Sequence, residues 1–232
     1  MSLNLLCAAM PQEAVLLIPR LAPASPTGGR PVWVGELGPR RVVLILTGMG
    51  MVNAAQAVTA SLEAFRGVKR VINFGCAGAY AASGLEIGRV AAADQVVHAD
   101  QGVTGGRRWR GLDAIGIPLE RNAAGEPIYN RLPVDRALSE ELRSAGDRVA
   151  SGVFASVARV SGDPDAARRL EERWGALVED MESAAVAQVA AHYGLAFASV
   201  RGVSNIAGGR ELDVAAGARA AQELILAWGG LS

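Results

Sequence analysis

The stretch RVVLILTGMGMVNAAQAVTASLEAF, Arg41 to Phe65, decides the fold class. Arg41–Leu46 is a short apolar run of strand type, and Gly38-Pro39-Arg40 before it is a turn sequence, so the run pairs with Val32–Leu37 as a hairpin. Thr47-Gly48-Met49-Gly50 follows as a glycine loop. Val52–Phe65 then reads as a helix, because Val52, Ala55, Val58, Leu62 and Phe65 recur at spacings of three and four and give one buried face. Strand, glycine loop and helix in that order are the unit of an α/β protein.

The pattern continues outward in both directions. Leu3–Ala9 reads as a first strand, and Pro11 opens a short helix where its missing N–H costs nothing. Downstream, Arg70–Phe74, Arg89–Val97, Val153–Val160, Leu177–Val178 and Ala196–Val203 read as strands. Helices are expected from Asp163-Pro164 to Trp174, over Ser183–Tyr193 and over Asp213–Trp228. Gln101 to about Ser151 is the least regular third and lacks the apolar periodicity for a core of its own. The expectation is a single domain over residues 1–232, a three-layer α/β/α sandwich with a mixed central sheet. Ligands in such sheets sit beyond the carboxyl ends of strands, which singles out Met10–Glu13, Thr47–Asn53, Gly75–Gly78 and Arg201–Asn205.

Composition removes several function classes. Of 232 residues 50% are hydrophobic and 20% charged, far from a disordered composition, and 23 basic side chains balance 23 acidic ones. That balance leaves no electrostatic footprint for nucleic acid or an anionic membrane. Lys69 is the only lysine, so a P-loop or Schiff-base lysine in a motif is excluded. Two cysteines and two histidines are too few and too scattered for a structural metal site or a disulfide framework, which points to a reducing, cytoplasmic compartment. No apolar run reaches the ~18 residues of a membrane helix, and the N-terminal run has no basic residue before it. No cofactor is implied: the Gly48–Gly50 loop has GxG without a third glycine, and no acidic residue ends the next strand.

Four places carry chemistry. The loop at Thr47–Asn53 offers main-chain N–H groups to an anion or a sugar. Cys76, Ala77 and Gly78 are small enough for a flat ring to approach the backbone, and Cys76 is more simply a small apolar residue than a nucleophile, with neither histidine near it in sequence. Glu179-Asp180-Met181-Glu182 places three acids before a helix; besides stabilising its dipole, Glu182 can accept from two vicinal hydroxyls. Arg201-Gly202-Val203-Ser204-Asn205 ends an apolar strand, and a buried Arg201 requires a carboxylate, for which Glu13 is the expected partner.

Taken together, these places resemble the purine nucleoside phosphorylase and nucleosidase superfamily, and the match runs from the first strand to the last helix. Ala9–Glu13 is similar to the segment of methylthioadenosine/S-adenosylhomocysteine nucleosidases that carries a water-activating glutamate. Within the superfamily Gly75–Tyr80, His98–Gly102, Gly116–Leu119, Tyr129–Pro133 and Arg201–Asn205 resemble the futalosine hydrolase group of the alternative menaquinone pathway. That group continues after the asparagine into Gly-x-Arg-Asp with a tryptophan soon after, whereas Gly209–Asp213 lacks the tryptophan. The resemblance implies a nucleoside phosphorylase-like fold, a purine nucleoside and water as partners, and a homo-oligomer of two or more chains. It implies Glu13 as general base, Arg201 as its orienting partner, Met181 and Glu182 at the ribose, and Cys76, Ala77, Gly78, Ser204 and Asn205 at the base. Asn205 stands where adenine-cleaving relatives have an aspartate; its amide can donate to N7 and O6 of a 6-oxopurine, although a carboxamide can also pair with adenine. A phosphorylase is the runner-up, opposed by Glu13, which would repel phosphate. A nucleoside-binding module without catalysis is the third reading. Gly102–Arg110, with Trp109 and three arginines, is a subunit contact, a contact to the substrate's 5′ tail, or an exposed loop.

Overall fold

Buried main chain must find partners, and in this chain one mixed sheet of ten strands supplies them. The computed structural model describes residues 2–105, 108–122 and 124–231. In chain order the strands are β1 (Leu3–Ala8), β2 (Ala22–Thr27), β3 (Arg30–Leu37), β4 (Arg40–Leu46), β5 (Val68–Ala79), β6 (Val90–His98), β7 (Val103–Gly105), β8 (Arg108–Arg110), β9 (Glu120–Arg121), β10 (Pro127–Ile128), β11 (Arg131–Pro133), β12 (Ala150–Ser156), β13 (Ala176–Asp180) and β14 (Ala196–Ile206). The helices are α1 (Met51–Ala64), α2 (Arg136–Arg143), α3 (Pro164–Trp174), α4 (Ser183–His192) and α5 (Val214–Trp228). The sheet runs β11-β6-β12-β13-β5-β1-β4-β3-β2, and β14 pairs with both β5 and β6. That double pairing closes β5, β13, β12, β6 and β14 into a ring. Strands β1, β4, β5 and β14 are mutually parallel where they pair, so their carboxyl ends open on one side.

Helices cover both sides of the sheet. Helices α1 and α4 pack on one another on one side, α2 and α5 on the other. Helix α5 lies tightly on β14 because Gly202 and Gly217 face each other: a Cβ on Gly202 would overlap the Gly217 carbonyl and stand 3.1 Å from the Ala221 nitrogen. A second, smaller apolar cluster around Tyr80, Val157 and Trp174 fills the space beside α3. No helix among the described residues is long and apolar enough to cross a membrane.

Several elements depart from the sequence expectation. Strand β5 does not stop at Phe74 but runs through Gly75–Gly78 to Ala79, because its backbone there pairs with β14 on one side and β13 on the other. Strand β12 ends at Ser156 and leaves Val157–Val160 as connection. Strand β2 carries Pro23 and Pro26, which an edge strand tolerates since one side of its ladder is open. Within the irregular third, α2 forms behind an Asp135 cap and β11 joins the sheet beside β6. The buried face of α1 is Ala54, Ala57, Val58, Ser61 and Leu62; Val52 is 85% exposed, so the expected stripe is rotated. Gly102–Arg110 forms the β7–β8 hairpin, with Gly106 and Arg107 outside the described residues. Trp109 docks on Trp174 edge to face at 5.3 Å, beneath the Arg173 guanidinium.

Candidate active site

Strand β1 ends where Pro11 starts a single 3-10 turn, and this turn folds Glu13 back over the strand end. Glu13 is 4% exposed. Its Oε2 accepts from the main-chain N–H of Ala9 (2.9 Å) and Met10 (3.0 Å), and its Oε1 from the N–H of Cys76 (2.8 Å). Three donors therefore fix the carboxylate and leave about one of its four lone-pair sites unused.

Opposite Gly75 in the parallel register of β5 and β14 stands Arg201, with no exposed surface. A Cβ on Gly75 would overlap Glu13 Oε1 and lie 2.8 Å from Arg201 Nη1, so the bare Cα is what lets the carboxylate and the guanidinium approach each other. Arg201 nevertheless does not pair with Glu13 as expected. Its Nη2 donates to Asn73 Oδ1 (2.5 Å), Ser183 Oγ (3.1 Å) and Glu182 Oε2 (3.4 Å), and its Nε stands 3.3 Å from Asp180 Oδ2 without hydrogen-bond alignment. Glu13 is already held by backbone donors, and the acids at the β13–α4 junction take the ion-pair role. Burial opposes the charge on Arg201, but Asp180, Glu182 and Glu13 outweigh it and push its pKa up.

The three acids before α4 divide their work. Asp180 Oδ1 accepts from the N–H groups of Glu182 (3.0 Å) and Ser183 (2.9 Å), so Asp180 supplies the helix cap and frees Glu182 for the cleft. Glu182 Oε1 accepts from the N–H of Gly50 (2.8 Å), at the start of α1. Gly50 has φ +92°, a conformation glycine adopts at little cost, and the loop expected to bind an anion or sugar here holds a protein carboxylate. Burial pushes the Glu182 carboxyl up to about 7, against the pull of Arg201. Met181, between the two acids, is half-buried.

Further along the same two strands lies a second polar group. Asn205 stands opposite Gly78, three residues from the Gly75–Arg201 pair, or about 10 Å at ~3.3 Å per residue. The register slips between Val203 and Asn205, and this bulge re-aims Ser204, whose hydroxyl lies 3.1 Å from the Ala77 carbonyl and 2.9 Å from Asn205 Oδ1. The hydroxyl has one hydrogen for these two oxygens; Asn205 Nδ2 donates to the Ile206 carbonyl at 3.3 Å, which leaves one N–H, and it would stand 3.1 Å from a Cβ on Gly78. Cys76 contributes its N–H; its thiol is pushed up to about 12 by burial and by Glu13, which removes a thiolate nucleophile.

All nine residues singled out in the sequence, Glu13, Cys76, Ala77, Gly78, Met181, Glu182, Arg201, Ser204 and Asn205, thus lie along the β1–β5–β14 strand region and the β13–α4 junction. Sequence reasoning missed the supporting set. Asn73 and Ser183 hold Arg201, and Ser199 in turn bonds Ser183 at 2.8 Å. For Asn73 and Ser199 the signal was a polar side chain inside an apolar strand, where burial demands a partner; Ser183, at the start of α4, gave none of that kind. Chemically, three buried carboxylates around one guanidinium give an excess of acids over bases, suited to stabilising a cationic sugar.

The phosphorylase-superfamily profile matches residues 5–227. The chain is 39% identical over 171 residues to a futalosine hydrolase of Thermus thermophilus, covering 73% of this chain and 71% of that protein. It is 35% identical over 183 residues to a 5'-methylthioadenosine/S-adenosylhomocysteine nucleosidase of Geobacillus thermodenitrificans, covering 75% and 70%. Among solved structures, an S-adenosylhomocysteine nucleosidase of Streptococcus pyogenes superimposes with a TM-score of 0.82 at 25% identity, over 98% of this chain and 95% of the other. A futalosine hydrolase of Helicobacter pylori gives 0.80 at 20% identity, over 98% and 97%, a likeness of fold.

Proposed function

The chain belongs to the phosphorylase superfamily, and from that premise we propose that it is a purine nucleosidase that hydrolyses the N-ribosidic bond of a 6-oxopurine nucleoside, futalosine, to hypoxanthine and dehypoxanthine futalosine. The observation that carries this reading is the Glu13 carboxylate, fixed by three main-chain donors at the strand end and separated from Arg201 only by the bare Cα of Gly75.

Cleavage develops positive charge on the sugar and negative charge on the departing base. Glu13 acts as general base toward a water at the anomeric carbon, and Arg201 positions the surrounding acids. Glu182 accepts from the ribose hydroxyls and Met181 packs on the sugar, so the reacting centre is held in place. Main chain at Cys76–Gly78 lines the base, while Ser204 orients Asn205 to donate to N7 and O6 and stabilise the leaving purine. A phosphate dianion in the place of water would meet Glu13, Asp180 and Glu182 with Arg201 as the single guanidinium among them. Arg30, beside the Gly48 loop, is tied to Asn53 Oδ1 at 2.5 Å.

Specificity for futalosine is supported by Asn205 and by the identity with the Thermus thermophilus protein. A methylthioadenosine/S-adenosylhomocysteine nucleosidase is the second reading, favoured by the Geobacillus thermodenitrificans relative. In the first reading the enzyme serves menaquinone biosynthesis in the cytoplasm. A homo-oligomer is carried over from the resemblance to the superfamily. Incubation with futalosine in ¹⁸O-water, with and without phosphate, tests the chemistry. Hydrolysis places the label on the sugar at a rate indifferent to phosphate; release of base only when phosphate is present overturns it.

A further inference from the structure

Asn205 alone does not select one purine edge; a neighbouring group does. A carboxamide offers both a donor and an acceptor, and so can match either a 6-oxopurine or a 6-aminopurine. A carboxylate only accepts.

Strand β13 pairs antiparallel with β5 so that Glu179 stands opposite Gly78. A Cβ on Gly78 would lie 3.1 Å from Asn205 Nδ2 and 3.4 Å from Glu179 Cγ, so the two side chains meet over one bare Cα. Glu179 is 4% exposed and forms no ion pair among the described residues. Neutral donors alone hold it: Ser161 N–H to Oε1 at 2.9 Å, and Ser161 Oγ at 2.6 Å and Tyr80 OH at 3.2 Å to Oε2. Burying a carboxylate without a cation is costly, and anchoring Ser161 and Tyr80 needs only acceptor oxygens. Three donors leave about one of four lone-pair sites for a further N–H.

We infer that Glu179 is a specificity-determining residue that accepts from N1–H of a 6-oxopurine, beside Asn205 donating to O6; the inference rests on the nucleosidase reading of the site. The order of groups is complementary. Asn205 then Glu179 presents donor then acceptor, and the 6-oxopurine edge presents acceptor O6 then donor N1–H. A 6-aminopurine presents the reverse, an N6 donor and a bare N1 lone pair, and the carboxylate repels the latter. Asn205 can turn over to suit adenine; ionised Glu179 offers only acceptors whichever way it turns.

The test is kcat/KM for inosine and adenosine nucleosides bearing the same 5′ group, in the wild type and in Glu179→Gln. The wild type is expected to prefer the 6-oxo substrate by about 100-fold or more, and the variant to lower that ratio at least about tenfold, because a site built to bond a particular N–H loses its discrimination when the acceptor is replaced. Equal loss on both substrates assigns Glu179 to structure and overturns the inference. If the wild type cleaves neither nucleoside, the nucleosidase reading fails; if it prefers the 6-oxo substrate and Glu179→Gln leaves the ratio unchanged, only the role of Glu179 fails. Should the variant not fold, product inhibition of the wild type decides: 1-methylhypoxanthine is expected to inhibit at least about tenfold more weakly than hypoxanthine, and equal inhibition overturns the inference.

Discussion

At the scale of single residues the site depends on carboxylates whose surroundings differ. Glu13→Gln removes the proposed base, and its new NH₂ must also face at least one of the N–H donors at Ala9, Met10 or Cys76. The variant is therefore expected to lose about 10²- to 10⁴-fold in kcat and to be less stable by about 1–3 kcal/mol, readable by single-turnover kinetics and urea titration. Glu182 makes a prediction in pH. Its carboxyl, pushed up to about 7 by burial, is protonated below that value and, in the proposed role, then cannot accept from both ribose hydroxyls. Hence kcat/KM for nucleosides should rise with pH through about 7, and Glu182→Gln should abolish that limb. The ligand-free protein moves the opposite way: a carboxyl whose folded pKa is raised favours the folded state at low pH, and that contribution is lost as pH climbs through about 7. For the choice of base, Asn205→Asp should weaken hypoxanthine release by about 5- to 150-fold, read by chromatography of the products.

At the scale of elements, the β13–α4 junction ties folding to the site. Asp180 caps α4 through Glu182 and Ser183, accepts from Ser156 Oγ at 2.7 Å and stands beside the buried Arg201. Asp180→Ala strips acceptors from all of these and leaves Arg201 short of charge, so a loss of about 3–5 kcal/mol in unfolding free energy is expected. This element was legible in part. The acids and the following alanine-rich helix could be read directly, but which acid caps and which meets Gly50 depends on the turn geometry, and Arg201 pairs with these acids instead of the expected Glu13. Strand β5 shows the same limit from the other side. Gly75–Gly78 carries the composition of a turn, and only pairing with β14 and β13, far away in sequence, keeps it extended. The proline-bearing β2 and the short α2 were missed because an edge position and an Asp135 cap outweigh local propensity.

For the whole molecule, alternating strands and helices determined the class, and the four strand-end segments proved to converge because β1, β4, β5 and β14 share one direction. What the chain alone left open was the closure of the sheet by β14, which sets Asn205 against Gly78 and Glu179 about 10 Å from the Gly75–Arg201 pair. Under the proposed function, that separation lets one scaffold hold two decisions, bond cleavage at Glu13 and base choice at Asn205. Both are tested at once by measuring kcat/KM of the purified wild-type protein on futalosine, its 6-amino analogue, inosine and methylthioadenosine in phosphate-free buffer. Futalosine is predicted to give the highest value, with hypoxanthine as the released base; methylthioadenosine as the best substrate, releasing adenine, would contradict the account.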